Sequence, residues 1–361
     1  MNTLNLIKYG LTPRFEQEAA LYEDLYLARV TEQHHDIYKI AGENGEMLSS
    51  VSGKFSYLAA DSTDFPAVGD WVMVDKTDTG GGNAVIRRVL GRRSAFVRKA
   101  AGTAQASQIV AANVDTVFIC MSLNADFSPR RAERYLAVAW DSGAVPVIVL
   151  TKADLCPDVS GKLAELREVS PGADIVVCSG MAEDGYRDIL PYLSEGKTVA
   201  FIGSSGVGKS TLINRLMGRE VLAVGEIRAD DRGRHTTTSR QLLLLPSGGI
   251  VIDTPGMREL QIDFGDLSKT FEDIDDLASE CRFKDCSHTT EPGCAVRKAI
   301  EEGALSRERF ESFLKLQREM GYEGLNSREL EQEKIRRMFG GKGEMKQAMR
   351  FAKEKNKNRG L

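Results

Sequence analysis

A phosphate-binding motif, Gly203–Thr211, constrains this chain more than any other feature of its sequence. It follows an apolar run at residues 198–202 and opens a helical pattern, which is the strand–loop–helix context that such a motif requires. Glycines let backbone N–H groups turn towards phosphates, and the helix start adds partial positive charge. Lys209 is expected to reach the β- and γ-phosphates, and the Ser210 hydroxyl to bind Mg²⁺. The predicted nucleotide contacts in this loop are Gly203, Ser204, Ser205, Gly206, Val207, Gly208, Lys209, Ser210 and Thr211.

A second phosphate-side motif follows the loop. A β-branched strand pattern ends in Asp253, and Gly256 completes an Asp-x-x-Gly sequence. Asp253 is expected to help hold Mg²⁺, while the Gly256 amide would approach the γ-phosphate. Between the two motifs, the polar stretch at about residues 225–240 is predicted to be switch I. There Thr236 or Thr237 would close onto Mg²⁺ and the γ-phosphate, and the sequence does not decide between them.

Two motifs before the phosphate-binding loop indicate a guanine site. Thr151-Lys152-Ala-Asp154 resembles the Asn-Lys-x-Asp motif of GTPases, and Ser179-Gly180 resembles the motif that follows it. A carboxylate such as that of Asp154 can accept both guanine N1–H and the exocyclic amine. Thr151 replaces the usual Asn and removes an amide that commonly braces this loop. Taken alone, a strand-end turn with a capping Asp explains the four residues equally well, and the other motifs favour guanine.

The order of these motifs is unusual. In an ordinary small GTPase the guanine motifs come after the phosphate-binding loop, whereas here they come first. The sequence therefore predicts a circular permutation, which preserves a packed sheet because natural termini lie at the surface and often near each other. The chain that leaves switch II, after Gly256, would run directly into the C-terminal region. Nucleotide-dependent motion would then be tied to the residues after 270.

Composition limits the class of protein. The chain has 361 residues, 42% of them hydrophobic, which suits two or three domains. No apolar run approaches the ~18 residues of a membrane helix, and the N-terminus lacks a secretory pattern, so we expect a cytoplasmic protein. Cys120, Cys156 and Cys178 are scattered and are expected to be reduced thiols. A net charge of −4 argues against a nucleic-acid coat and leaves RNA contact to local basic patches.

Three domains and two flanking segments are predicted. Residues 35–105 read as an OB-fold β-barrel, with strands expected at 36–40, 46–51, 54–57, 70–75 and 84–89. Six basic residues and no acidic one lie between Arg87 and Lys99. A solvated basic hairpin explains them as well as an RNA contact does, and the OB context favours RNA. The predicted parts are an N-terminal segment at 1–34, the barrel at 35–105, an α/β domain at 106–270, a mainly helical zinc-binding domain at 271–330, and a basic tail at 331–361.

The C-terminal region carries a Cys₃His pattern made of Cys281, Cys286, His288 and Cys294. Four such ligands satisfy tetrahedral structural zinc and leave no open catalytic position. Disulfide pairing is the alternative, and a reducing compartment disfavours it. Most of the tail is basic: residues 334–361 hold ten Lys or Arg and two Glu, a net charge of +8 for that stretch. This charge favours contact with a phosphate backbone, and a solvated tail without a partner is the alternative.

Taken together, these motifs resemble one family, the circularly permuted GTPases that depend on the small ribosomal subunit (the RsgA or YjeQ type). The resemblance extends over about residues 35–325, and residues 232–238 contribute to it alongside the motif order and the Cys₃His pattern. It implies an OB fold, a zinc domain, GTP hydrolysis with Mg²⁺, and a role in late maturation of the 30S subunit. The implied partners are the 30S subunit and its 16S rRNA. Neither DNA nor a membrane is expected as a partner. A monomer is expected, because the sequence shows no coiled-coil heptads.

The residue after the Asp-x-x-Gly motif bears on the hydrolysis step. Ras-like enzymes carry there a Gln that positions the attacking water, whereas this chain has Met257. Intrinsic hydrolysis is therefore expected to be slow, with a gap to the stimulated rate of up to ~10⁵-fold by analogy with Ras. His235 is the candidate for orienting the water, and it fits equally well as a loop histidine or an RNA-phosphate ligand.

Two other functions remain open at this point. A phosphotransferase acting on a small metabolite would need an acceptor pocket and a lid, and neither is apparent in the sequence. An RNA-binding scaffold with a purely structural nucleotide site is compatible with Met257, but Lys209, Ser210 and Asp253 argue against an inactive site.

Overall fold

The computed structural model describes residues 4–34, 36–78, 82–99, 107–124, 126–182, 184–222, 240–253, 267–284 and 286–320. Within these ranges the chain forms a barrel, a mainly parallel sheet with helices on both faces, and a group of C-terminal helices. No helix in these ranges combines the length and the apolar character needed to span a membrane.

The N-terminal part is a closed barrel of OB type. Its strands pair in the order β1-β2-β3-β5-β4, and β4 returns to β1, so the five described strands close on themselves. The β3–β5 pairing is parallel and the other pairings are antiparallel. The elements are α1 (Leu4–Ile7), α2 (Pro13–Ala19), β1 (Tyr26–His34), β2 (Ile37–Gly42), β3 (Gly45–Val51), α3 (Gly53–Leu58), β4 (Trp71–Val74) and β5 (Ala84–Val89).

Two details of the predicted barrel are wrong. The first strand begins at Tyr26, inside the segment expected to precede the barrel. Both faces of this strand are buried, because Leu27 lies in one hydrophobic cluster while Ala28 and Val30 lie in another. The predicted strand at residues 54–57 is instead helix α3, whose first turn is capped by the Ser52 side chain.

The α/β domain follows a two-stranded hairpin. Its strands lie in the order β10-β9-β8-β11-β13-β12, and all the pairings among them are parallel except that of β12 with β13. The phosphate and guanine motifs follow the carboxyl ends of parallel strands, which is where such sheets bind ligands. The elements are β6 (Ala95–Lys99), β7 (Ser107–Ala112), β8 (Thr116–Ser122), α4 (Pro129–Asp141), β9 (Val145–Thr151), α5 (Val159–Val169), β10 (Asp174–Val177), β11 (Thr198–Ile202), α6 (Lys209–Met217), β12 (Arg240–Leu244) and β13 (Ile250–Asp253).

The barrel and the α/β domain share one sheet. Strand β12, which follows the predicted switch I, pairs with β1 through Glu32 opposite Gln241 and Gln33 opposite Arg240. The Arg240 guanidinium also donates to the Gln108 side-chain oxygen of β7 at 3.2 Å. The barrel is therefore hydrogen-bonded to the strand that leaves switch I.

Arg29 of β1 also connects the barrel to the α/β domain. It is fully buried, and it donates to the Gly69 carbonyl at 3.2 Å and to the Thr198 hydroxyl at 3.0 Å. It also donates to the carbonyl of Tyr9, and its guanidinium lies 5.5 Å from the ring centre of Trp71. Burial lowers the pKa of Arg29 to about 10, so the side chain stays charged at neutral pH.

The C-terminal part is helical, as the sequence predicts. Within α10, Phe310 and Phe313 are buried, and the Ser306 hydroxyl accepts the Arg309 amide at the helix start. The helix that follows the cysteine cluster ends at Glu301, and Gly303, just beyond its C-cap, has a φ of 76°. The helices are α7 (Leu267–Thr270), α8 (Glu272–Ser279), α9 (Ala295–Glu301) and α10 (Arg307–Met320). The predicted basic tail lies outside the described residues.

Candidate nucleotide site and metal centre

The phosphate-binding loop connects the buried strand β11 to helix α6. Gly203, Gly206 and Gly208 have φ values of 136°, 73° and 102°, a region that favours glycine. At Gly203, an added Cβ would lie 2.2 Å from the carbonyl oxygen of Cys120 on β8. The loop therefore depends on glycine both for its turn and for its close approach to the neighbouring strand.

The charged groups of the loop converge at the start of α6. The Lys209 ammonium donates to the carbonyl oxygens of Gly203 at 2.7 Å and Ser204 at 2.6 Å. Ser210 and Thr211 are partly buried in the first turn of α6, next to the loop. Burial raises the pKa of the Asp253 carboxyl at the end of β13, and the Lys209 charge acts in the opposite direction. The Lys209 ammonium is therefore close enough to the Asp253 carboxylate for its charge to influence that group.

Thr151 joins the guanine motif to the phosphate-binding loop. It is buried at the end of β9, and its hydroxyl donates to the Val207 carbonyl of the loop. Its oxygen also lies 3.4 Å from the Met121 carbonyl. The Thr151 hydroxyl therefore connects the guanine motif to the phosphate-binding loop, at the position where GTPases commonly carry an Asn amide.

The remaining predicted guanine contacts lie beside Thr151. The Ser179 hydroxyl donates to the Asp154 carboxylate, and Lys152 adopts a left-handed conformation with a φ of 56°. The Gly180 carbonyl accepts from Arg215 of α6 at 3.1 Å. The residues of both guanine motifs therefore form one surface with the helix that follows the phosphate-binding loop.

Sequence reasoning missed two residues of α4 that reach this loop. The Arg131 guanidinium donates to the Ser204 hydroxyl at 2.8 Å and forms an ion pair with Asp126. The hydroxyl group of Tyr135, one turn later, is also hydrogen-bonded to Ser204. The spacing of four residues places both side chains on one face of the helix. The sequence does not show that this face of α4 contacts the phosphate-binding loop.

Several predicted site residues lie outside the described residues. These are His235, Thr236 and Thr237 of switch I, together with Gly256 and Met257. Their roles remain predictions.

The predicted zinc ligands come together in space. One ligand atom from each of Cys281, Cys286, His288 and Cys294 lies within 4.8 Å of the others. The His288 Nδ1 atom is 3.6 Å from the sulfur of Cys281 and 3.4 Å from that of Cys294. The three thiols are free of disulfides, and three sulfurs with one imidazole suit tetrahedral zinc. The Cys294 sulfur also caps α9 by accepting the Arg297 amide.

Comparison with known proteins identifies the family. The chain is 55% identical over 345 residues to "Small ribosomal subunit biogenesis GTPase RsgA 2" of Lactiplantibacillus plantarum, covering 95% of this chain and 97% of that one. This chain belongs to the RsgA GTPase family. The model of that family, described as RsgA GTPase, matches residues 89–263. A model described as ABC transporter matches residues 186–352, a range that includes the phosphate-binding loop.

Solved structures agree with the RsgA assignment. YjeQ from Thermotoga maritima has a TM-score of 0.60 and 29% identity, covering 82% of this chain and 98% of that one. A structure described as YloQ, a circularly permuted GTPase, has a TM-score of 0.58 at 24% identity, covering 83% of this chain and 96% of that one. The second likeness supports the fold.

Proposed function

We propose that this protein binds the small ribosomal subunit and hydrolyses GTP at a rate stimulated by that subunit, late in 30S maturation. Membership of the RsgA family makes it a GTP-hydrolysing enzyme of ribosome biogenesis. The observation that carries the proposal is the attachment of β1 of the barrel to β12, at the end of the predicted switch I. A barrel held by RNA would act directly on the strand that leaves the switch.

Different residues of the nucleotide site would bind the phosphates, Mg²⁺ and the base. Gly203, Gly208 and the α6 start would hold the phosphates through backbone N–H groups, and Lys209 would neutralise their charge. Ser210 and Asp253 would hold Mg²⁺, which supplies charge neutralisation between the β- and γ-phosphates when bound. For the base, the Asp154 carboxylate would accept guanine hydrogen bonds, with Ser179 fixing its orientation.

The hydrolysis step is assigned to switch I. His235 would orient the attacking water, because Met257 has no group that donates or accepts a strong hydrogen bond. Thr236 or Thr237 would close onto the phosphate side of the site. A ribosome-bound conformation of switch I would bring these groups into place, which accounts for a stimulated rate.

The other regions would contact the subunit. Zinc bound by the Cys₃His cluster would be structural, since all four positions are taken by protein ligands. The basic residues of β5 and β6 and the basic tail would contact 16S rRNA through its phosphates. We propose that the protein acts in the cytoplasm as a monomer.

The test is GTP turnover by the purified, zinc-loaded protein with and without isolated 30S subunits, with ATP in parallel. Stimulation by 30S that is confined to GTP is the expected result, and a Lys209→Ala variant should abolish it. Fast unstimulated turnover, or equal use of ATP, would contradict the proposal and favour a small-molecule phosphotransferase. Binding without turnover would favour an RNA-binding scaffold.

A further inference from the structure

A cleft of about 700 Å³ opens on the barrel between α3, β5 and the segment after α2. Its lining includes two aromatic residues, Tyr22 and Phe55, and the exposed Leu58. Helix α3 has no buried residue, and Tyr57 beside the cleft is 88% exposed. Exposed aromatic and aliphatic side chains at the edge of a cleft indicate a surface that meets a ligand.

Four basic residues among those described also line the cleft: Lys54, Arg87, Arg88 and Arg92. The Arg92 guanidinium is already paired within the barrel, because it donates two hydrogen bonds of 2.8 and 2.7 Å to the buried Asp70 carboxylate. Arg87 pairs with Asp75 at 3.3 Å. Lys54 and Arg88 are exposed and form no ion pair within the described part of the chain. These two cations therefore stay available to an anionic ligand.

The one acidic residue among those lining the described cleft does not oppose such a ligand strongly. The Asp64 carboxylate accepts the backbone amide of Ala60 at 2.7 Å and that of Asp61 at 3.4 Å, which satisfies part of its hydrogen-bonding capacity. The cleft thus combines aromatic and aliphatic surface with an excess of positive charge.

We propose that this cleft binds one unstacked nucleotide of single-stranded RNA. Its base would lie against Tyr22 and Phe55, and its phosphates would meet Lys54 and Arg88. Stacking on aromatic side chains together with a basic groove is the usual means of holding single strands. A duplex does not fit this description, because its bases are stacked on each other. OB barrels commonly bind nucleic acid on the β2–β3 face and adjoining loops, so the cleft is a separate subsite.

This inference rests on the proposed function, because it specifies one part of the rRNA contact. It is tested on the full, zinc-loaded chain with a labelled pyrimidine oligoribonucleotide of about ten nucleotides, a length within the site size of an OB fold. A matched oligomer in which the central bases are abasic carries the same phosphates. Binding is followed by fluorescence anisotropy over a range of salt concentrations.

Three variants separate stacking from charge. Phe55→Leu keeps an apolar side chain against Phe65, whose ring centre is 5.9 Å from that of Phe55, and removes the stacking surface. It should weaken binding of the intact oligomer about fivefold or more and leave the abasic oligomer unchanged. The logarithm of the association constant falls as the logarithm of the salt concentration rises, and Arg88→Ala should make this slope shallower by about 0.7 for both oligomers. Arg167→Ala, which removes an exposed cation of α5, is the matched control and should change neither.

Two results would overturn the inference. One is equal binding of the intact and abasic oligomers by the unaltered protein. The other is a Phe55→Leu variant that keeps full oligomer affinity; if that variant also lost 30S stimulation, the cleft would be a protein-docking surface instead. Stimulation of GTP turnover by 30S subunits is measured separately. If the protein bound the oligomer as expected but showed no stimulation, the proposed function would be contradicted and the assignment of the cleft would still hold.

Discussion

Arg309 of α10 and Glu133 of α4 form a buried ion pair with an N–O distance of 2.7 Å. Two further Arg309 nitrogens each donate to the Asp273 carboxylate of α8 at 2.7 Å, and its guanidinium lies 4.9 Å from the Phe271 ring centre. Burial raises the pKa of the Glu133 carboxyl, and the Arg309 charge opposes that rise. Since α4 also contacts Ser204 through Arg131, a single helix touches both the phosphate-binding loop and the C-terminal helices.

Removing Arg309 should destabilise the fold. Arg309→Ala leaves the Glu133 carboxylate buried without its cation, which typically costs about 3–5 kcal/mol. We expect a clearly lower denaturation midpoint in urea. Arg307→Ala, an exposed position on the same helix, should stay close to the unaltered protein. Equal midpoints for the two variants would mean that the buried network contributes no net stability.

Thr151→Val should weaken nucleotide binding. The substitution keeps the buried volume and removes the hydroxyl that donates to the Val207 carbonyl, leaving that carbonyl without this partner. A loss of about 1 kcal/mol corresponds to roughly fivefold weaker binding of a fluorescent GDP analogue. Thr151→Ser restores the hydroxyl and should bind normally. If the valine variant bound as tightly as the serine variant, the brace would have no role in affinity.

Gly203→Ala should abolish nucleotide binding. The new Cβ would lie 2.2 Å from the Cys120 carbonyl oxygen, so the loop or β8 must move. Gly218→Ala is the matched control: Gly218 also has a positive φ, 65°, but an added Cβ there meets no atom within 4 Å. Titration with the GDP analogue should show more than ~100-fold weaker binding for the first and a small change for the second. Similar affinities for both would show that the close contact at Gly203 is relieved without affecting the site.

Loss of one predicted zinc ligand should release the metal and loosen α9. Structural zinc contributes directly to folding energy, and the Cys294 sulfur caps this helix. We expect Cys281→Ser to lose bound zinc in a chromogenic chelator assay and to increase amide exchange over residues 281–301. Cys156→Ser removes a thiol from outside the cluster and should retain one zinc per chain. Zinc retention by Cys281→Ser at the same level would contradict the assigned ligand set.

The sequence predicts those parts of the molecule that local spacing encodes. The glycines of the phosphate-binding loop and the four zinc ligands are close together in the chain, so their chemistry can be recognised without a fold. Contacts between distant residues cannot be found in this way: Arg309 and Glu133 are 176 positions apart, and neither lies in a motif. Strand β1 is difficult to predict because Arg29 and Thr31 are buried although both are polar, so that the sequence does not mark their face of the strand as part of a core.

The pairing of β1 with β12 also determines how the chain can be divided. An α/β fragment without the barrel would present the backbone N–H and C=O groups of Arg240 and Gln241 on an open sheet edge. Such an edge is a template for pairing with another copy of the same chain. The barrel fragment would in turn lose Thr198 as a partner for the charged side chain of Arg29. The barrel therefore covers an edge of the α/β sheet, and a cut between the two parts would leave polar groups on both sides without a partner that they have in the whole chain.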